Sequence, residues 1–292
     1  MNARMTIRNG WNPAHLLAAL IMAAVGVFAT LDAWRDIWKI ALRDEEASHM
    51  LLVPVVVGWL LWARRGRLRQ CRPRGLWIGP LIVAAGWGIS MSGHFYDIQA
   101  FWHGGAIVVA VGCMLSVLGI DVLRQFMPAV VALAFLVPVP GLVRQEIAIP
   151  LQQATATVTQ NLLEVMGVPV VRSGAMLTLN GVDIGIAEAC NGLRMVFALV
   201  LVSYAFAFGT PLRNFVRILI VAASPLSAIL CNVVRLIPTV WLYGYQGEQI
   251  GKWFHDYSGW AMLGVAFLLL MGIIQILKWA LVPVVPYTLA QD

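Results

Sequence analysis

The chain has 292 residues, of which 60% are hydrophobic and only 12% charged, and its mean hydropathy is +0.81. Soluble domains carry about 25% charged residues, so this chain has too few polar side chains to cover a water-soluble particle of its size. Composition therefore excludes soluble, disordered and disulfide-scaffold proteins and indicates an integral membrane protein. The four cysteines form no CxxC pair, which excludes zinc or thioredoxin-like spacing.

Eight hydrophobic segments approach the length of about 20 residues that a membrane-spanning helix requires. The predicted spans are 14–34, 48–63, 76–92, 104–120, 125–141, 191–209, 217–236 and 259–281. We interpret the first as a retained helix rather than a removed signal peptide, because no small-residue cleavage pattern follows it. The predicted fold class is an all-α polytopic membrane protein of about eight helices, forming a single integral membrane domain over 1–292.

The distribution of basic residues predicts the orientation of these spans. The loop 64–74 contains six arginines and no acidic residue, and such loops lie on the cytoplasmic side. Eight spans then place both termini inside, where 12 basic and 2 acidic residues give a charge of +10, against −4 outside. The net charge of +6 therefore reflects membrane topology and does not indicate nucleic-acid binding.

Five predicted spans in 1–141 precede an outer segment, 142–190, which is followed by a three-span region, 191–292. The outer segment begins with a predicted amphipathic helix over Leu142–Gly167, which lies in the membrane interface and is ended by Pro169. Its apolar positions recur every three or four residues. These positions are Leu151, Thr155, Val158, Leu162 and Val165. In 175–186, Asn180-Gly181 separates two aliphatic runs and predicts a small β-hairpin just before the sixth span.

Three groups suited to acyl transfer fall at the outer ends of the last three spans. Cys190 begins the sixth span, Arg235 lies near the outer end of the seventh, and His255 directly precedes the eighth. A helix N-terminus and a nearby cation both favour the nucleophilic thiolate. The arginine fork suits a developing oxyanion, and histidine suits proton transfer. These residues predict a cysteine-based active site on the outer face.

The segments that carry these residues resemble motifs of the exosortase/archaeosortase family, mainly over 140–282. They are Glu188–Leu193, Asn232–Leu236 and His255–Gly259. The resemblance implies a membrane cysteine protease/transpeptidase of the bacterial inner membrane that uses no metal or organic cofactor. It also implies exported protein substrates with a C-terminal PEP-CTERM-like sorting signal, which consists of a short motif, a membrane helix and a basic cluster.

Four neighbouring polar residues are candidates for supporting roles. Glu188 and Arg194 flank the cysteine and either form an ion pair or contact substrate. Asn191 either supports the oxyanion or caps the helix. Asn232 belongs to the arginine motif, and Arg235 itself has a structural alternative, in which it reaches to the interface or binds helix C-terminal carbonyls.

Other readings of the sequence assign different roles to the same residue types. A transporter or channel would use Arg235 and His255 for anion or proton handling, but the sequence has no acid well inside a predicted span and no paired half-helices. A serine-type intramembrane protease lacks a Gly-x-Ser-x-Gly motif. The loop with His94, Asp97 and His103 is a weak candidate for a metal site, and we favour interface residues. The remaining cysteines, Cys71, Cys113 and Cys231, are predicted to be structural or incidental.

Overall fold

The computed structural model of the protein describes residues 11–44, 46–73, 75, 77–186 and 192–279, and most of them are helical. The ten α-helices of this described part are α1 Pro13–Ala29, α2 Leu31–Arg43, α3 Val53–Ala63, α4 Gly79–Phe95, α5 Gln99–Leu118, α6 Ile120–Ala132, α7 Gly141–Val165, α8 Gly192–Gly209, α9 Asn214–Gln246 and α10 Glu248–Trp279. Short 3-10 helices occupy Ser48–Leu52, Arg65–Gln70 and Leu133–Leu136. A small sheet contains β1 Val171–Ser173, β2 Met176–Leu179 and β3 Val182–Gly185.

Two described helices, α5 and α9, are individually long and apolar enough to cross a membrane. The number rises to as many as five if each of three bent helix pairs counts as one span. The helix α3, with its preceding 3-10 turn, and the helix α8 are shorter apolar segments. The chain is therefore a membrane protein with two to five candidate spans in its described residues, and the count of eight stays a prediction.

The first predicted span, 14–34, is wrong as a single helix because the chain bends by 82° between α1 and α2. The hydroxyl of Thr30 at the bend donates to the carbonyl of Gly26 and accepts from the Trp34 indole. The helix α2 is amphipathic: Ala33, Ile37 and Ala41 are buried, whereas its five charged residues are exposed or half-buried. Its charge content explains why it does not continue the apolar helix before it.

The chain divides into two compact units, whose boundary lies after Pro140. The first unit holds the described residues up to Pro140 and Phe208–Pro211, and the second holds Gly141–Ala207 and the residues from Leu212 onward. In the first unit, α4 and α5 pack closely enough that a Cβ at Gly105 would meet the backbone of Ser90.

The basic loop of the first unit does more than its predicted role as a topology anchor requires. Arg64 is buried, and its guanidinium donates to the backbone carbonyls of Phe208 and Gln125 at 2.9–3.3 Å. Charge-assisted hydrogen bonds of this kind satisfy carbonyl groups that a helix end leaves open. One of the six loop arginines therefore links the carbonyl of Phe208, at the end of a helix, to that of Gln125, inside α6.

In the second unit, α7 packs through a different face from the one predicted. Its buried residues are Thr155, Ala156, Thr159 and Leu163. Of the predicted apolar positions only Thr155 is buried, while Val158, Leu162 and Val165 are exposed. Small and threonine side chains allow close approach to the protein, and the larger aliphatic stripe points outward, where lipid can cover it. Its location in the membrane interface stays a prediction.

The helix α7 ends at Val165, close to the predicted end at Gly167, but Pro169 is not the residue that ends it. Gly167 takes a positive φ of 82°, and the amides of Gly167 and Val168 donate to the carbonyls of Glu164 and Leu163. This is the pattern of a glycine C-cap, which satisfies the last carbonyls of the helix. The glycine therefore ends the helix before the proline is reached.

The sheet of the second unit has the order β1-β2-β3, with both strand pairs antiparallel. Asn180 and Gly181, at φ 53° and 78°, form the two-residue turn between β2 and β3, as their sequence predicts. One face of the sheet packs against α7 and the C-terminal half of α9. This cluster, called the sheet cluster below, contains Ala156, Leu163, Val168, Val170, Leu177, Leu179, Ile184, Ile186, Leu236 and Val240.

The last two helices form a long antiparallel hairpin that turns at Gly247, where φ is 93°. A Cβ at Gly251 would meet the Tyr243 ring, and one at Gly259 would meet Arg235 Nη1. These two contacts fix the register: residues of α9 and α10 that are equally far from Gly247 lie at the same level of the hairpin. The segment 237–258, predicted as a short outer connection, thus continues both helices.

Candidate active site

Arg235 and Asn232 lie on one buried face of α9. Their exposed fractions are 7% and 3%, and Nη2 of Arg235 donates to Oδ1 of Asn232 at 3.1 Å. The two residues are three apart, so their side chains are neighbours on the helix surface. Because the amide is neutral, the hydrogen bond orients the guanidinium without cancelling its charge. Burial of this cation is costly, and intramembrane charges by default indicate function.

The backbone of α9 around Arg235 is held by a further side chain. The hydroxyl of Thr239, fully buried one turn later, donates to the Arg235 carbonyl at 2.8 Å. Pro238 within the helix lacks an amide hydrogen, which leaves the helix one backbone bond short at this level. The threonine hydroxyl therefore adds a side-chain hydrogen bond to the Arg235 carbonyl next to that break.

Gly259 brings α10 against the guanidinium of Arg235. A Cβ built at Gly259 would lie 2.9 Å from Nη1, so a larger residue requires the arginine to move. His255 lies four residues earlier and therefore on the same face of α10, about 6 Å further along the axis toward Gly247. In the register of the hairpin it is level with Thr239. Its side chain is half-buried, and its carbonyl accepts from Ser258 Oγ at 3.2 Å.

The predicted nucleophile Cys190, with Glu188 and Asn191, lies outside the described residues. The described residues on either side of it are buried: Ile186 is 1% exposed and belongs to the sheet cluster, and Leu193 is 2% exposed on α8. The sheet cluster also contains Leu236, the residue after Arg235. The chain therefore enters the cysteine segment from a core that it shares with the arginine helix.

The first turns of α8 pack with α9 and α10 just below Arg235. Met195, Leu199, Ala228, Cys231 and Ala266 form this buried three-helix cluster. Cys231, predicted to be a packing residue, is 4% exposed within it. It lies one turn before Arg235, so α8, which starts beside Cys190, meets the arginine helix at this level. Arg194, the other predicted supporting residue, is half-buried on the first turn of α8.

The remaining predicted cysteines and the weak metal site are in the first unit. Cys71 and Cys113 are both buried, and the Cys71 carbonyl accepts from the Trp11 indole. His103 is fully buried, and its Nε2 lies 3.1 Å from Oδ2 of Asp36 on α2. Within the described ranges, no group of three His, Cys, Asp or Glu residues could hold a metal ion.

Two structural partners escaped sequence reasoning. Asp36 is 67 residues from His103 and shares no motif with it, so only the fold brings the two together. Gly259 belongs to the histidine motif, but its contact with Arg235 could not be predicted from the sequence, because it depends on how α9 and α10 are aligned in the hairpin. The i, i+3 spacing of Asn232 and Arg235 was the one signal in the sequence that pointed to a contact within the site.

A family model described as transmembrane exosortase matches residues 34–272. The chain belongs to the transmembrane exosortase family. The match begins in α2, so the relationship extends well beyond the 140–282 region that carries the resemblance in the motifs. No curated protein sequence and no solved structure matches the chain. The exosortase assignment thus rests on the family match.

Proposed function

We propose that this exosortase is a cysteine protease/transpeptidase that cleaves the C-terminal sorting signal of exported proteins at the outer face of the inner membrane. The observation that carries the proposal is the contact between α9 and α10, in which Gly259 approaches Arg235 and shares a helix face with His255. A buried cation and a titratable imidazole thus lie one helical turn apart, beside a core that leads to the cysteine segment. Family membership supports the same chemistry.

The proposed reaction has two acyl-transfer steps. The Cys190 thiolate attacks the carbonyl carbon of the substrate, and Arg235 stabilises the oxyanion that forms on the carbonyl oxygen. The C–N bond then breaks, His255 gives a proton to the leaving amine, and the substrate remains as a thioester on Cys190. Water or another nucleophile attacks the thioester and restores the thiol. Asn232 holds the guanidinium in place throughout.

The length of α9 supports a site near the outer membrane boundary. Arg213 and Arg217 lie at the cytoplasmic end if the basic loops are inside. Arg235 follows Arg217 by 18 residues, which is about 27 Å of helix, whereas the hydrocarbon core is about 30 Å thick. Arg235 would then lie just inside the outer hydrocarbon boundary, and His255 about 6 Å further out.

Exposed aromatic side chains agree with this depth. Trp241 and Trp253 lie at the same level in the register of the α9–α10 hairpin and are 42% and 61% exposed. They lie about 9 Å further out than Arg235. Tryptophan is enriched in the headgroup region, so this level suits the outer interface. A substrate held by its membrane helix would present the bond just before that helix to this depth.

The direct test is processing of a secreted reporter that carries a candidate sorting signal. The wild type is compared with Cys190→Ala and with Cys231→Ala, a matched control because Cys231 is a buried packing residue. We expect Cys190→Ala to abolish processing while Cys231→Ala retains it. Equal processing by the wild type and Cys190→Ala would contradict the proposal and favour a transporter or channel role.

A further inference from the structure

The strand β3 has a backbone edge that no other strand pairs with among the described residues. The two-residue turn makes Leu179 and Val182 a hydrogen-bonded pair, and pairing alternates from there. Asp183 and Gly185 therefore occupy the non-hydrogen-bonded positions of the β2–β3 ladder. Their backbone N–H and C=O groups point away from β2, and the Asp183 residue is exposed.

This edge is fixed relative to Arg235. Leu179 packs so closely on Gly244 of α9 that a Cβ there would meet its side chain. Nδ2 of Asn180 donates to the Gly244 carbonyl at 3.1 Å. Gly244 lies nine residues after Arg235 on the same helix. The hairpin and the arginine therefore share one support, and the edge is a preformed template.

The edge is also close to the predicted nucleophile along the chain. Cys190 follows Gly185 by five residues, which limits the separation of their α carbons to about 17 Å. The opposite edge of the sheet, on β1, is about 10 Å further across. An extended substrate whose cleaved bond lies at Cys190 would thus reach β3 with residues no more than about five positions from that bond.

We propose that the substrate segment next to the cleaved bond binds as an added strand along β3. This proposal rests on the proposed function, because the occupant is the exported chain just before its membrane helix. Such a segment is unfolded when it arrives, and its main-chain groups supply the hydrogen bonds that Asp183 and Gly185 offer. Side chains at alternate positions then face the protein and determine which signals are accepted.

The sharpest test uses the purified enzyme and a synthetic peptide that carries the reporter's cleaved bond and membrane helix. Single backbone N-methyl groups are placed at successive residues before the bond. Methylation removes one donor, so positions paired with β3 should show a KM raised about tenfold, the equivalent of one hydrogen bond to a preformed site. Positions between them should be unchanged, giving an alternation with a period of two residues.

Variants of the enzyme provide the matched comparison. Gly185→Pro removes an outward N–H of β3 but no bond of the β2–β3 ladder, and should raise KM with little change in kcat. Arg172 holds the equivalent outward position on β1, so Arg172→Pro should leave KM unchanged. Arg172→Ala accounts for the loss of its side-chain bonds to Gln160 and Gly174.

The outcomes separate the two proposals. If the wild type cleaves the unmodified peptide but the N-methyl series shows no alternation, strand addition is overturned and the acyl-transfer function stands. If Arg172→Pro raises KM and Gly185→Pro does not, the substrate binds along β1, and the proposal of strand addition to β3 is likewise overturned. If neither the peptide nor the reporter is cleaved, the proposed function itself fails.

Discussion

The guanidinium of Arg235 lies directly against the backbone of Gly259, since a Cβ at that glycine would be 2.9 Å from Nη1. The contact joins the arginine motif on α9 to the histidine motif on α10. It explains why a glycine stands four residues after His255: any side chain there would occupy space that the guanidinium needs. The position of the cation is therefore set from both helices.

The first prediction is that Gly259→Ala lowers activity without destabilising the fold. The neighbour that must move is the flexible end of an arginine, so the substitution shifts the guanidinium rather than the helix. A displacement of about 1 Å in a catalytic group lowers kcat by as much as 100-fold. Gly264→Ala is the control on the same helix, because nothing lies within 4 Å of a Cβ at that position. Equal reporter processing by the two variants would show that this contact does not affect activity and would contradict the prediction.

The second prediction concerns the hydrogen bond between Asn232 and Arg235. Asn232→Ala removes the acceptor that orients Nη2, and we expect about a tenfold loss of kcat, corresponding to about 1.4 kcal/mol. Thr239→Val is the comparison, since its hydroxyl bonds the Arg235 carbonyl and not the guanidinium. It should affect thermal stability more than kcat. A reversed pattern, with Thr239→Val the less active variant, would contradict the role of Asn232.

The third prediction concerns orientation, for which native Cys71 is a poor reporter. Burial raises the pKa of the Cys71 thiol and Asp121 adds to the effect, so the thiol stays protonated at pH values where a free cysteine begins to ionise. Because thiol reagents react with the thiolate, Cys71 should remain unlabelled near neutral pH on either side of the membrane.

Introduced cysteines test the orientation instead, in a Cys190→Ser background. Gly66 is exposed with open space around it, and Gln246 is exposed at the tip of the α9–α10 hairpin. In intact cells, an impermeant maleimide should label Gln246→Cys, and should label Gly66→Cys only after permeabilisation. If Gly66→Cys is labelled in intact cells and Gln246→Cys is not, the chain has the opposite orientation and the proposed topology is contradicted.

The fourth prediction concerns the pair of His103 and Asp36, which joins α5 to α2 in the first unit. Asp36→Ala leaves the buried imidazole without this partner and should lower the free energy of unfolding by about 1–2 kcal/mol. Asp97→Asn, in the loop first considered for a metal, should have little effect, because asparagine also accepts the positive φ of 55° at that position. Thermal unfolding of both variants in detergent measures the difference. Equal stability of the two variants would show that the pair contributes nothing.

Much of the local structure follows from short-range rules. The Asn180-Gly181 turn was predictable because both residues accept a positive φ, and the Asn232–Arg235 contact follows from helical spacing. The membrane class followed from composition alone. These features depend on residues a few positions apart, where the chain itself supplies the geometry.

Features that depend on tertiary packing were predicted less well. Hydrophobicity alone joined α1 to α2, because it does not detect the Thr30 bend or the charged faces of α2. The apolar stripe predicted on α7 is mostly exposed rather than packed against protein. Periodicity identifies an apolar face but does not say whether protein or lipid covers it. The Arg235–Gly259 contact depends on the register of two helices that are joined far from the site.

The central claim is that Cys190 carries the acyl group, and trapping that intermediate tests it most directly. Trypsin releases the segment 173–194, in which Cys190 is the one cysteine, and Cys231 falls in the separate segment 218–235. After brief incubation of the enzyme with the reporter and an acid quench, mass spectrometry should find a substrate-derived, hydroxylamine-sensitive adduct on 173–194. An unmodified 173–194 during active processing, or an adduct on 218–235, would contradict the account.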